Sequence, residues 1–183
     1  VDPAKTAAQL IYQGAVIGWF QGRMEFGPRA LGSRSILASP VHAETKDLIN
    51  AKIKFREEFR PFAPAVMFEH IDAYFMTSSA GEKIYPYMLA AVKARPSAAP
   101  KIPAVVHVDG TSRIQAVHRE TNLLYWRVIE EFACLSGIPV ILNTSFNVKG
   151  EPIVCTPEDA INTFLNSGID YVVMGNFLVT KKN

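Results

Sequence analysis

The sequence predicts a mixed α/β fold of the α+β kind, a twisted mixed sheet flanked by helices. Three observations predict it. Apolar runs of strand length alternate with amphipathic stretches of helix length. At least two pairs of these runs flank turn residues, as hairpins do, which argues against a doubly wound parallel sheet. The 183 residues, 49% hydrophobic and 20% charged, suffice for one core in a single domain, 1–183.

Asp2 is a suitable N-cap and Pro3 suits the first helical position. Ala7, Ala8, Ile11 and Tyr12 recur at helical spacing, and Gly14 closes that helix. Residues 16–20 form the first strand. It runs into a loop of glycines and arginines, and residues 30–38 are expected to leave that loop partly as helix, stopped by Pro40. Residues 44–54 read as one helix, with Leu48, Ile49 and Ile53 inward and Lys46, Asp47, Asn50 and Lys52 outward. Pro61 and Pro64 then force extended chain.

A buried strand is expected at 65–68, a short helix at 69–75, a small polar loop at 76–83 and a strand at 88–93. Residues 96–103 are proline-rich. Asp109-Gly110 is a turn dipeptide, so 105–108 and 112–117 are expected to pair around it. Residues 120–135 form the longest helix, ending at Gly137. Residues 139–142 form a strand, followed by a loop at 143–147. Thr156 caps a helix that has Pro157 at its first position and runs to about 166. Strands at 170–174 and 176–180 close the chain.

The bulk numbers exclude several functions. No run of about 18 apolar residues is present to span a bilayer, so no membrane partner is expected. A net charge of +2 gives no broad positive face, and tight nucleic-acid binding is not expected. Cys134 and Cys155 have apolar neighbours and no CxxC spacing, which reads as two buried thiols in a reducing, cytoplasmic compartment. The opening Val1-Asp2-Pro3 reads as the start of a piece cut from a longer protein, or of a chain that has lost a tag or its initiator Met.

The basic residues are clustered. Arg23, Arg29, Arg34, Lys54, Arg56 and Arg60 fall in loops or at element ends in the first third, and Arg113 follows the Asp109-Gly110 turn. Met24, Phe26, Phe55, Phe59 and Phe62 flank them. Guanidiniums between aromatics are partly desolvated and need an anion. Glu25, Glu57 and Glu58 are too few to pair them all, which leaves room for a bound phosphate. Asn143-Thr144-Ser145-Phe146-Asn147 follows an apolar strand, where small polar side chains meet ligands or simply form a turn. The sequence has no Walker phosphate loop, no GxGxxG after a strand, no G-x-S-x-G elbow and no HxxxH or HExxH spacing. His107 reads as a strand residue with a satisfied ring. No metal site is expected in this chain.

Gly22-Arg23-Met24-Glu25-Phe26-Gly27-Pro28-Arg29-Ala30-Leu31-Gly32, Phe59-Arg60-Pro61-Phe62-Ala63-Pro64 and Asn143-Thr144-Ser145-Phe146-Asn147 together resemble the C-terminal domain of the O-carbamoyltransferases. That family includes nodulation-factor and antibiotic carbamoyltransferases, and the likeness runs over nearly the whole chain. It implies a YrdC-like fold that makes carbamoyl adenylate from carbamoyl phosphate and ATP. An N-terminal domain of the same protein, of the actin/Hsp70 ATPase type with a histidine-bound metal, would then transfer the carbamoyl group to an acceptor hydroxyl.

The YrdC family has a K-x-R and S-x-N signature, which Lys54-Phe55-Arg56 and Ser145-Phe146-Asn147 fit. The resemblance implies Lys54 and Arg60 as catalytic residues. It implies Arg29, Lys54, Arg56, Arg60, Arg113, Asn143, Ser145 and Asn147 as substrate-binding residues. ATP is expected with Mg²⁺ held mainly by its own phosphates. Two alternatives remain open at this stage: a YrdC-like module for tRNA or another nucleic acid, and a non-catalytic interface domain.

Overall fold

The computed structural model describes residues 1–55, 57 and 60–181. Its strands are β1 (Ile17–Phe20), β2 (Arg34–Ala38), β3 (Ala63–Met67), β4 (Ala91–Lys93), β5 (Thr111–Arg113), β6 (Gln115–Val117), β7 (Val140–Ser145), β8 (Tyr171–Met174) and β9 (Phe177–Thr180). The helices are α1 (Pro3–Tyr12), α2 (Glu44–Ile49), α3 (Ile71–Tyr74), α4 (Leu123–Ser136) and α5 (Pro157–Leu165). Seven strands form one sheet in the order β6-β3-β7-β2-β1-β8-β9, and β4 and β5 form a small second sheet. β1 runs parallel to β8 and β3 to β6, while the other pairs are antiparallel. The predicted mixed sheet with flanking helices is what forms.

The central strands are buried on both faces, which is why they read as unbroken apolar runs. Side chains alternate between two cores. Ile17, Trp19, Leu37, Ile141 and Val173 meet α1 and α4 on one face. Phe20, Ile36, Leu142, Phe146 and Val172 meet α2, α5 and the 68–105 segment on the other. Local caps set the helix starts. Asp2 Oδ1 accepts from the backbone N–H of Ala4 and Lys5 at 3.0 and 3.2 Å. Thr156 and Asp159 form a reciprocal capping box before α5. No helix among the described residues is long and apolar enough to cross a membrane.

Several expectations are corrected. Residues 34–38 form a strand, not a helix, because β2 is hydrogen-bonded on both edges, to β1 and β7. The chain therefore leaves the arginine loop as a strand, and the loop is not a helix N-terminus. Asn143, Thr144 and Ser145 belong to β7 and not to a loop, since Asn143 lies opposite both Leu37 and Ala63. Residues 105–108 make no strand. Instead β5 pairs with β4, and after Ile114 the chain crosses to place β6 beside β3. The helix expected over 44–54 becomes a π-helical turn at Asn50–Lys54. Asn50 is buried rather than outward, because its Nδ2 donates to the Arg60 carbonyl at 3.1 Å. His107 sits in a turn, its Nδ1 lying 3.2 Å from Thr111 Oγ1. Both thiols are free and exposed, not buried.

Candidate active site

β1 and β2 form a hairpin whose loop spans 21–33. Two charged residues within this stretch shape it. Glu25 Oε1 accepts the backbone N–H of Leu31 and of Ser33, both at 2.7 Å. Arg34 is 5% exposed. It donates to the carbonyls of Gln21, Ser33, Gly22 and Cys155, and lies 3.5 Å from the Phe20 ring centroid. Burial pushes its pKa down, partly offset by the Glu25 carboxylate. Arg34 is thus a strut of the loop rather than a ligand-facing group.

Gly32 completes this arrangement. Its φ is +109°, and a Cβ there would lie 2.3 Å from the buried Tyr125 ring. Both strain and collision oppose a side chain. Gly32→Ala should destabilise the protein by about 2 kcal/mol. A thermal melt of the full-length protein should show a loss of roughly 4–8 °C for this domain's transition. An unchanged melt would mean that the loop is free to move off Tyr125.

A pocket of about 280 Å³ opens beside this loop. Its polar lining is Arg29, Arg60, Arg113, Asn143, Thr144 and Ser145, with Phe62 and Met88 among its apolar walls. These residues come from the arginine loop, the approach to β3, the end of β5 and the carboxyl half of β7. Each arrives for a local reason. Pro61 and Pro64 keep the chain extended past Arg60. Antiparallel pairing with β2 and β3 fixes the β7 residues in register.

Charge in the pocket is one-sided. Its lining has no carboxylate. Among the described residues, Arg29, Arg60 and Arg113 make no ion pair; the ion pair seen, Arg127 with Asp2, lies elsewhere. Burial pushes the pKa of Arg113 down, and the neighbouring Arg29 charge pushes the same way. Two guanidiniums that oppose each other in a half-buried pocket are complementary to an anion. Arg113 Nε and Asn143 Oδ1 are also buried without a hydrogen-bond partner. Asn143 Nδ2 donates to Ala30 O at 3.1 Å and to Gln115 Oε1 at 2.7 Å, and Gln115 Nε2 donates to Leu31 O at 2.7 Å.

The structure thus brings Arg29, Arg60, Arg113, Asn143 and Ser145 to one pocket. Lys54 is placed differently. It ends the π-helical turn, is 5% exposed and is not in the pocket lining. Its Nζ donates to Ser145 O at 2.6 Å, Asn147 Oδ1 at 2.7 Å and Asn147 O at 2.9 Å, with Ser145 Oγ at 3.4 Å. Asn147 is taken up by the same cluster, since its Oδ1 also accepts from Ser145 Oγ and its Nδ2 donates to Glu151 O. Arg56 and Phe59 lie outside the described residues. Arg23 is exposed and outside the lining.

Phe26 and Phe55 are exposed, so neither desolvates the arginines as expected. Sequence reasoning missed Thr144, Met88 and Gln115. The available signal for Gln115 was a single amide between Ile114 and Ala116 in a strand. Among the described residues, no group of three or more His, Cys, Asp and Glu side chains could hold a metal ion.

Comparison with known proteins gives a consistent result. Residues 8–181 match the family described as "Carbamoyltransferase C-terminus". The nodulation protein NolO of Bradyrhizobium diazoefficiens is 50% identical over 181 residues, covering 99% of this chain and 33% of NolO. The 3'-hydroxymethylcephem-O-carbamoyltransferase of Amycolatopsis lactamdurans is 39% identical over 163 residues, covering 89% of this chain and 30% of that protein. The chain spans about a third of the length of these two relatives. Full-length HypF, solved in a phosphate- and nucleotide-bound form, superposes with a TM-score of 0.63 at 15% identity, over 98% of this chain and 22% of HypF. P. abyssi Sua5 complexed with L-threonine superposes with a TM-score of 0.61 at 15% identity, over 88% of this chain and 43% of Sua5. At such identity these two likenesses concern the fold, which is YrdC-like.

Proposed function

Because this chain belongs to the carbamoyltransferase C-terminal family, we propose that it activates carbamoyl phosphate with ATP to give carbamoyl adenylate. An N-terminal domain of the full-length protein would pass the carbamoyl group to an acceptor hydroxyl. The observation that carries this reading is the convergence of Arg29, Arg60 and Arg113 on one pocket without a carboxylate.

The chemistry asks for such a site. Water takes the phosphoryl group of carbamoyl phosphate, leaving carbamate and orthophosphate. A carbamate oxygen then attacks the α-phosphorus of ATP. The new bond joins carbamoyl oxygen to the α-phosphate, the bond to the β-phosphate breaks, and pyrophosphate leaves. Negative charge gathers on phosphoryl oxygens at each step, and fixed guanidiniums stabilise it without reorganising. Ser145 supplies a hydroxyl at the same wall, and Lys54 holds Ser145 in place from behind. The lining residues fit a Mg²⁺ carried on the nucleotide's own phosphates, since they offer it no carboxylate.

The test uses the full-length protein with ATP. AMP and pyrophosphate release should depend on carbamoyl phosphate and be abolished when it is omitted. AMP release that is indifferent to carbamoyl phosphate, or no AMP at all, would overturn the reading.

A further inference from the structure

Asn143 lies in the wall of the pocket and is 1% exposed. Which end of its amide is which follows from backbone carbonyls, which only accept. Leu31 O requires a donor, so Gln115 turns Nε2 toward it and Oε1 toward Asn143. Ala30 O likewise requires a donor, and Asn143 turns Nδ2 toward it. Both Nδ2 hydrogens are therefore used, one on Ala30 O and one on Gln115 Oε1. The polar atom left is Oδ1, a buried acceptor with no partner. In the same pocket Arg113 keeps Nε, a buried donor with no partner. One open acceptor and one open donor fit a planar group that itself carries an N–H donor and a C=O acceptor. A plain phosphate, or an acyl phosphate ending in a methyl group, would leave the acceptor unmet, and an unmet buried acceptor is costly.

We propose that Asn143 is the specificity residue that reads the amino group of the carbamoyl substrate, accepting its N–H on Oδ1. The inference rests on the activation reading above. It also reverses the usual expectation for a polar side chain in an anion pocket: this amide does not donate to the anion. The arginines hold the phosphate, and Asn143 tells an amino group from a methyl group of similar size.

The experiment compares carbamoyl phosphate, acetyl phosphate and inorganic phosphate by calorimetry on the full-length protein. Acetyl phosphate keeps the phosphate and the carbonyl and replaces the amino group by methyl. The wild type should bind carbamoyl phosphate roughly 10–100-fold more tightly than acetyl phosphate. Asn143→Leu keeps the branched shape and removes the acceptor. In it the two acyl phosphates should bind within about threefold of each other, and inorganic phosphate should bind within about threefold of its wild-type affinity. Equal binding of the two acyl phosphates by the wild type overturns the inference, whether or not the variant folds. Equal weakening of all three ligands in the variant also overturns it, because Asn143 would then only shape the pocket. If the wild type releases AMP with carbamoyl phosphate but shows no preference in binding, the activation reading stands and this inference alone falls. If it binds no carbamoyl phosphate and releases no AMP, both fall.

Discussion

Arg60→Ala is expected to slow carbamoyl phosphate-dependent AMP release by about 10²–10³-fold, the usual cost of one preorganised donor. The melting temperature should stay within about 2 °C of the wild type, as for exposed substitutions generally. The two halves of the residue have separate tasks. Its backbone closes the turn before β3: the N–H donates to Glu57 O at 3.2 Å, and the carbonyl accepts from Asn50 Nδ2. Truncating the side chain leaves both bonds in place. The exposed guanidinium lines the pocket and makes no ion pair among the described residues. Arg60→Lys should recover only part of the loss, since it restores the charge but not the planar fork. Activity in Arg60→Ala within about threefold of wild type would remove Arg60 from the chemistry.

Lys54→Met should do the opposite and act first on the fold. The ammonium is buried and bridges the end of β7 to the segment that follows, through Ser145 and Asn147. Removing it strands buried acceptors, at a cost of about 3 kcal/mol. The domain's melting temperature should fall by roughly 6–12 °C, with activity lost as Ser145 loses its support. Lost activity at an unchanged melting temperature would place Lys54 on the substrate instead.

Lys54 and Arg60 look alike in the sequence: two cations six positions apart around a helix end. Nothing local separates them. Their difference is set by β7, some 90 positions further on, which covers one and not the other. The same limit explains the strand errors. Arg34-Ser35-Ile36-Leu37-Ala38 contains one β-branched residue and several good helix formers, and only its two neighbours in the sheet make it a strand. Asn143-Thr144-Ser145 has turn-like side chains, yet β2 and β3 hold it extended. What was legible had local causes. Asp2 with Pro3 and Thr156 with Pro157 and Asp159 mark helix starts that the structure keeps. The gathering of Arg29, Arg60 and Arg113 was foreshadowed by a surplus of guanidiniums over nearby acids. The third orphan-bearing partner, Asn143, was visible as a candidate, but the direction of its amide depends on Gln115 and could not be read from its neighbours.

The place of β1 in the sheet bears on how the protein is made. β1 has β2 on one edge and β8 on the other, with Ile17 opposite Tyr171. A ribosome must therefore deliver nearly the whole chain before the first strand gains its second neighbour. The pocket-lining residues all precede residue 146, so a nascent chain holds every one of them while that edge of β1 is still bare. An unpaired edge in a sheet of such distant pairings folds slowly and invites strands from other chains. A product truncated before β8 would thus carry all the chemistry of the pocket on a sheet prone to aggregate.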